Sequence, residues 1–71
     1  MIEKIKAFVG KLVFIEISSG RFYNGIITEV NETHVILNDK FGYDLLIRIA
    51  DIVLLQPKDP DNPRNKENNI T

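Results

Sequence analysis

The chain contains no cysteine and only one histidine. Without cysteine it forms no disulfide, and one imidazole without a thiolate is not a ligand set for zinc. We therefore expect no metal site and no cofactor. A Ser-His-Asp arrangement, a glycine-rich phosphate loop and metal-binding motifs are also missing, so we expect a protein that is not an enzyme.

Long hydrophobic runs and an excess of charge of one sign are absent too. No apolar run approaches the roughly 20 residues of a membrane-spanning helix. Residues 1–10 are too short and too charged for a signal peptide. The formal net charge is -1, which is not the basic signature of a strong nucleic-acid-binding protein. We expect a soluble cytoplasmic protein with no membrane partner.

Apolar residues are abundant for so small a chain. They make up 44% of the 71 residues, although the segment 57–71 has only Ile70 as an apolar side chain. That segment contains all three prolines and is predicted to be a flexible polar tail. Residues 1–56 form the single predicted domain. A domain this small with no disulfide gains buried area most readily by oligomerising.

The stretch 11–29 predicts two strands joined by a tight turn. Apolar residues recur at every second position on both sides of the turn, which is the period of one strand face. They are Val13, Ile15, Ile17, Tyr23 and Ile27. Gly20 can adopt the positive φ that the turn requires. Gly25 lies inside the second strand, where glycine marks a bend or a close backbone approach, so we expect this strand to serve two sides of a small barrel.

The whole pattern predicts a mainly β fold, in which a short N-terminal helix precedes a strongly bent five-stranded antiparallel barrel. The strands are predicted over residues 11–17, 22–30, 34–38, 43–49 and 52–56, with one tight helical turn at residues 50–51. The helix is predicted over residues 2–9, because apolar residues recur there at a spacing of three.

The predicted helix is too short to hold in isolation, so it must dock against the barrel. Gly10 is well placed to end it. We expect the helix to lie over an open end of the barrel. There it should also cover Leu12 and Phe14, two large apolar residues on the outer face of the first strand.

Two apolar runs, residues 45–47 (LLI) and 52–55 (IVLL), do not alternate with polar residues. Continuous apolar runs are typical of strands that are buried on both faces. A single small barrel does not easily bury both faces of two strands. We therefore expect another subunit to pack against these runs.

Two short motifs resemble those of a known family. The first consists of alternating apolar residues, a Gly-Arg pair, a second glycine and a polar turn. It is matched here by Val13, Ile15, Ile17, Gly20, Arg21, Tyr23, Gly25, Ile27, Val30 and Asn31. The second, Ile-Arg-Gly before a short apolar strand, is matched by Ile47 and Arg48, with Ile49 in place of glycine. Over residues 1–56 the chain thus resembles the Sm-like family of ring-forming β-barrels, which includes archaeal Sm-like proteins and the bacterial Sm-like RNA chaperone.

The resemblance implies a closed ring in which the fifth strand of one subunit pairs with the fourth strand of the next. The side chains expected at this interface are Leu45, Ile47, Ile52 and Leu54. Closed cyclic symmetry with a head-to-tail interface predicts a ring of about five to seven copies.

The resemblance also implies that single-stranded RNA, often uridine-rich, binds around the pore. Arg48 matches the arginine on which a base stacks, and Asn31 stands where the family usually has Asp. His34 falls near the base-contacting positions. The loop is one residue shorter than usual, and the asparagine that reads the base edge has no clear counterpart.

Each of these residues also has an interpretation without a ligand. His34 could be an ordinary residue at the start of a strand, and Arg48 could form an ion pair at the subunit interface with Asp51 or Asp44. The leading hypothesis is a homo-oligomeric RNA-binding ring in RNA metabolism. The alternative is a structural or assembly ring that has lost the uridine pocket and binds a protein partner.

Overall fold

The computed structural model describes residues 2–58, and most of its secondary structure consists of short β-strands. The elements are α1 (Ile2–Lys6), β1 (Leu12–Ile17), β2 (Phe22–Val30), β3 (His34–Asn38), β4 (Asp44–Arg48), a 3₁₀ turn (Ile49–Asp51) and β5 (Ile52–Pro57). The strands form one sheet in the order β4-β3-β2-β1-β5, and all neighbours are antiparallel. The predicted fold class is confirmed, and β4 and β5 are the two edges of the sheet.

One face of the sheet forms the core, as the alternation predicts. Five side chains from β1, β2 and β3 are fully buried: Val13, Ile15, Ile27, Val35 and Leu37. Each of them contributes about 1.5–3 kcal/mol relative to an exposed position. Ile47 of β4 and Ile5 of α1 complete this buried cluster.

Gly25 lies where the β2 and β3 backbones approach closely. A Cβ atom at this position would lie 2.5 Å from the carbonyl oxygen of Asn38, so only glycine fits without a shift of the backbone. Of the alternatives that the sequence left open at Gly25, the structure thus shows the close backbone approach. The β2–β3 register shifts between Ile27 and Glu29, which is the mark of a bulge, and bulges bend the strand that contains them.

The N-terminal helix is shorter than predicted, because it ends at Lys6 and not at residue 9. Val9 instead forms an isolated parallel β-bridge with Ile27 of β2. The N–H of Gly10 donates to the Ile27 carbonyl at 2.7 Å, and Gly10 has a φ of 86°. This sheet contact competes with the last helical turn.

The helix packs on the core side of the sheet. Ile5 is buried among the core side chains, whereas Leu12 lies on the opposite face and is partly exposed. Phe14 is covered by Phe22, with ring centroids 5.5 Å apart. The prediction that the helix covers Leu12 and Phe14 is wrong, because these residues alternate with the ones that the helix contacts.

The last strand passes the predicted end of the domain. Pro57 belongs to β5, and the N–H of Lys58 donates to the Leu12 carbonyl at 2.9 Å. Proline is tolerated there because β5 is an edge strand and the proline is its last residue. The rest of the predicted tail, residues 59–71, lies outside the described residues.

Large apolar side chains remain exposed along both edge strands. Leu46 of β4 is 67% exposed, and Val53 and Leu54 of β5 are 62% and 41% exposed. These residues come from the two apolar runs that the sequence singled out. In a single chain, therefore, each run buries only part of its side chains.

Candidate nucleic-acid interface

The loop between β2 and β3, residues 31–33, is held by the side chain of Asn31. Its Oδ1 accepts hydrogen bonds from the N–H of Thr33 at 2.9 Å and from the N–H of His34 at 2.8 Å. The N–H of Asn31 donates to the carbonyl of His34 at 3.0 Å. Asparagine favours such local bonds to the backbone two or three residues ahead. The amide of Asn31 thus shapes the loop, and its oxygen is already used within the chain.

His34 is the first residue of β3 and lies directly opposite Arg48 in the β3–β4 register. Its Nδ1 is 2.8 Å from the hydroxyl of Thr33. The residue is half-buried. Two of the three residues predicted to bind RNA therefore lie side by side at one end of the sheet.

Arg48 forms a two-bond ion pair with Asp51 across the 3₁₀ turn. The guanidinium Nε and Nη2 atoms each donate to one carboxylate oxygen at 3.1 Å. The hydrogen bond from Arg48 lowers the pKa of the Asp51 carboxyl, and the same bond raises the pKa of Arg48. Asp51 is thus the ion-pair partner within the chain, whereas Asp44 accepts a hydrogen bond from Asn38.

The ion pair fixes the guanidinium without burying it, since the Arg48 side chain is 65% exposed. A guanidinium has five N–H donors, and two of them are used by Asp51. Three therefore remain for a ligand as far as residues 2–58 are concerned. A planar exposed guanidinium can stack on a base or bind a phosphate.

One backbone hydrogen bond joins the loop to the arginine segment. The N–H of Ile49 donates to the carbonyl of Thr33 at 2.8 Å, which places the 3₁₀ turn beside the loop. The side chain of Ile49 packs against the core, so the residue that replaces the family's glycine is accommodated within the chain. Asn31, His34 and Arg48 are accordingly brought together at one site.

A concave surface adjoins this site along the free edge of β4. It has a volume of about 360 Å³ and is lined by Ile17, Tyr23, Asp44, Leu45, Leu46, Ile47, Arg48 and Asp51. Its walls are apolar in the middle of β4 and charged at both ends of the strand, with Asp44 at one end and the Arg48–Asp51 pair at the other. The site therefore continues into an edge that has no neighbouring strand among residues 2–58.

The side chains predicted at the ring interface differ in their environment. Ile47 is a core residue, and Leu45 and Ile52 pack partly against the core. Leu54 alone among the four is exposed, whereas Leu46 and Val53, which were not predicted at the interface, are the most exposed large apolar residues of the two edge strands. Alternation along β4 explains the difference, because the edge strand has one face toward its own core. The interface itself stays a prediction.

A second and larger groove lies on the outer face of the sheet, away from the loop. It has a volume of about 590 Å³. Its walls include the exposed side chains of Phe22, Ile26 and Phe41, and Lys40 lies over the Phe41 ring with its Nζ 5.2 Å from the ring centroid. Phe41 and Tyr43, on either side of Gly42 in the β3–β4 turn, are 73% and 68% exposed.

The role of Thr33 was not predicted from the sequence, and the role of Asp51 was predicted only in part. Thr33 was not selected at all, although a threonine two residues after a turn asparagine is a recurrent signal for local hydrogen bonds. Asp51 was considered only as an ion-pair partner between subunits. Its sequence distance from Arg48, three residues, becomes a contact because the intervening segment forms a 3₁₀ turn.

Two further properties concern metal ions and membranes. Among residues 2–58, no group of three or more His, Cys, Asp and Glu side chains is placed to hold a metal ion. No helix in this part of the chain has the length and hydropathy needed to cross a membrane.

The helix, the bent antiparallel sheet and the short 3₁₀ link between β4 and β5 define the Sm-like fold. The structure is similar to the crystal structure of Hfq, described as a pleiotropic translational regulator, with a TM-score of 0.69. The two share 23% sequence identity, and the match covers 76% of this chain and 92% of the Hfq chain. No protein-family model and no curated protein matches the sequence. At this identity the likeness shows the fold alone.

Proposed function

We propose that the chain assembles into a closed homo-oligomeric ring that binds single-stranded RNA in the cytoplasm, without a catalytic step. The RNA proposal is carried by the position of His34 directly opposite Arg48, where β3 begins and β4 ends. An exposed guanidinium with unused donors next to an imidazole offers both stacking and hydrogen bonding to a base. The structural likeness to a translational regulator supports a role in RNA metabolism.

The edges of the sheet support the ring. β4 and β5 each have one side without a strand partner in the described chain, and each exposes large apolar side chains. Pairing β5 of one copy with β4 of the next would use both edges. This head-to-tail contact closes into a ring of about five to seven copies when the rotation between neighbours is suitable. Closure would also remove the aggregation hazard of free edges.

The ring would repeat the loop and Arg48 once per subunit. A circle of guanidinium groups would present the unused N–H donors of Arg48 once per subunit, although each group is paired with Asp51 and the whole chain has a net charge of -1. We propose that a uridine-rich single strand follows this circle, with a base near each His34–Arg48 pair. Asn31 contributes indirectly, because its Oδ1 holds the loop.

Titration with fluorescent oligo-U and oligo-A at low salt tests the proposal. We expect oligo-U to bind at micromolar protein, and Arg48→Ala to weaken binding about tenfold or more, since it removes a stacking and hydrogen-bonding group. Arg21→Ala is the matched control, because Arg21 is an exposed arginine at the β1–β2 turn. Absence of binding to either oligomer, or equal effects of the two substitutions, would contradict the proposal.

A second candidate function is an assembly ring that binds a protein partner. It is favoured by the 590 Å³ groove, whose exposed aromatic and aliphatic side chains have no role in the RNA proposal. The absorbance ratio of freshly purified protein separates the candidates. Abundant copurified RNA that nuclease removes favours the RNA-binding ring, whereas nucleic-acid-free protein that also fails to bind oligo-U favours the assembly ring.

A further inference from the structure

Hydrogen bonds link three polar side chains at the β2–β3 loop, in the order Asn31, Thr33 and His34. The Nδ1 atom of His34 lies 2.8 Å from the Oγ1 atom of Thr33. The same Oγ1 atom lies 3.2 Å from the Oδ1 atom of Asn31. The direction of the two bonds decides which ring nitrogen of His34 carries the proton, because the hydroxyl has a single hydrogen.

The orientation of the Asn31 amide is fixed by its other partners. Its Oδ1 accepts from the backbone N–H groups of Thr33 and His34, so the oxygen and not the NH₂ group must face the loop. An amide oxygen cannot donate. The contact with Thr33 is therefore a hydrogen bond only if the Thr33 hydroxyl gives its hydrogen to Asn31.

With its hydrogen committed to Asn31, the Thr33 hydroxyl can only accept from His34. The Nδ1 atom of the neutral ring then carries the proton. The opposite arrangement, with the hydroxyl donating to Nδ1, would place two oxygens 3.2 Å apart with no hydrogen between them. The first arrangement satisfies both contacts, and a proton on Nδ1 leaves Nε2 with a lone pair.

The Nε2 atom of His34 has no hydrogen-bond partner among residues 2–58. Next to it in the strand register is Arg48, whose guanidinium keeps three N–H donors after the ion pair with Asp51. The site therefore offers one acceptor beside a surplus of donors. A complementary base edge has one N–H flanked by carbonyl oxygens.

We propose that Thr33 is a positioning residue that keeps His34 in the Nδ1–H tautomer, so that Nε2 accepts the N3–H of uracil while Arg48 donates to a uracil carbonyl. Uracil presents its single N–H between two carbonyl oxygens. On their Watson–Crick edges, adenine and cytosine have an acceptor on only one side of their amine donor, so they offer Arg48 one acceptor where uracil offers two, and guanine has two neighbouring N–H donors of which Nε2 can accept one. This inference rests on the proposed RNA binding and names the residue that reads the base in place of an asparagine.

The tautomer can be measured directly because the chain contains one histidine. Nitrogen-15 spectra of the labelled ring, at an alkaline pH where imidazole is neutral, report the protonated nitrogen. We expect Nδ1–H in the native protein and in Thr33→Ser, which keeps the hydroxyl. Thr33→Val should shift the population toward Nε2–H, the form that free histidine prefers. A native ring protonated on Nε2, or no change in Thr33→Val, would overturn the role of Thr33.

Modified oligomers test the recognition step. Replacing uridine by N3-methyluridine removes the proposed donor and should weaken binding about tenfold, the size of one lost hydrogen bond. Oligomers of 5-methyluridine carry the same extra methyl group but keep N3–H, so they should bind like oligo-U. In Thr33→Val the penalty for N3-methylation should shrink severalfold, and Thr33→Ser should restore it.

The outcomes distinguish this inference from the proposed function. If oligo-U and N3-methyluridine oligomers bind equally well to the native protein, the ring binds RNA but Nε2 does not read N3–H, and the inference fails alone. If no oligomer binds, the proposed function fails, and recognition of uracil fails with it. The nitrogen-15 spectra then still decide whether Thr33 sets the tautomer.

Discussion

The free edges of the sheet and the β2–β3 loop are surfaces of opposite character, the first apolar and the second polar. The edges expose Leu46, Val53 and Leu54 and leave backbone donors and acceptors without a strand partner in the described chain. The loop is polar, and Asn31, Thr33 and Arg48 already have partners within the chain. The edges have no neighbouring strand among residues 2–58, whereas the loop is already organised by hydrogen bonds within the chain. We infer that assembly and recognition are separable properties.

The largest effect is expected from a substitution that disrupts the fold itself, on which both the edges and the loop depend. Gly25→Val should destabilise the fold by about 3 kcal/mol or more, because its side chain would collide with the backbone of Asn38. Gly20→Ala is the control: Gly20 has a φ of 91° but open space around it, so only the strain of about 1–2 kcal/mol applies. Urea unfolding measures both. Equal stabilities would contradict the close approach of β2 and β3.

The next effect should separate the edges from the loop. Leu54→Asp should abolish the ring, since assembly would bury an unpaired charge, while the single chain stays folded because Leu54 is partly exposed there. Light scattering should then give a mass near the 8.1 kDa of one chain. Phe41→Asp is the matched control, because Phe41 is also an exposed apolar residue but belongs to the β3–β4 turn and to neither edge strand. An intact ring in Leu54→Asp would show that β5 is not the interface.

A smaller effect is expected when the loop loses its organising side chain. Asn31→Ala should reduce stability by about 1–2 kcal/mol, because the N–H groups of Thr33 and His34 lose their acceptor. Asn31→Asp keeps an acceptor oxygen and should restore most of the loss. The ring should remain in both variants. Thermal unfolding followed by circular dichroism measures the first effect, and a fall in mass on scattering would contradict the separation of loop and edges.

The smallest effect concerns pH and the Arg48–Asp51 pair. The pKa of Asp51 is lowered in the folded chain from its ordinary 3.8, so the pair stabilises the fold above that value. The contribution is lost as the pH falls through the lowered pKa. Both side chains are exposed, so the effect on stability should be small. Thermal melts of Asp51→Asn and of the native chain at pH 7 and below pH 3 isolate the contribution of the ion pair to stability. A difference between the two proteins that grows on acidification would have the wrong sign.

The strands were the most predictable part of the structure, because period-two alternation is a local property. The observed ranges of β2 and β3 coincide with those predicted from the pattern. The helix was less predictable: its apolar spacing continues to Val9, but a contact with Ile27, eighteen positions away, ends it earlier. A helix of so few residues has little stability of its own, so a tertiary contact decides where it ends.

The candidate site was predictable in its members but not in its bonds. Asn31, His34 and Arg48 were selected through the family resemblance, and the structure places them together. The choice between Asp51 and Asp44 as partner of Arg48 could not be made beforehand. It depends on the register of β3 and β4, which pairs Asp44 with Asn38, and on the turn that folds Asp51 back.

The sequence by itself determined which faces of β1 and β2 are buried and where glycine is required, because side-chain alternation and backbone clashes act over short distances. The tertiary structure decided on which side of the sheet the helix packs. It also decided that Thr33 links Asn31 to His34 and that Leu46, Val53 and Leu54 stay exposed on the two edge strands. Those features depend on strand register and sheet curvature, which join residues that are distant along the chain.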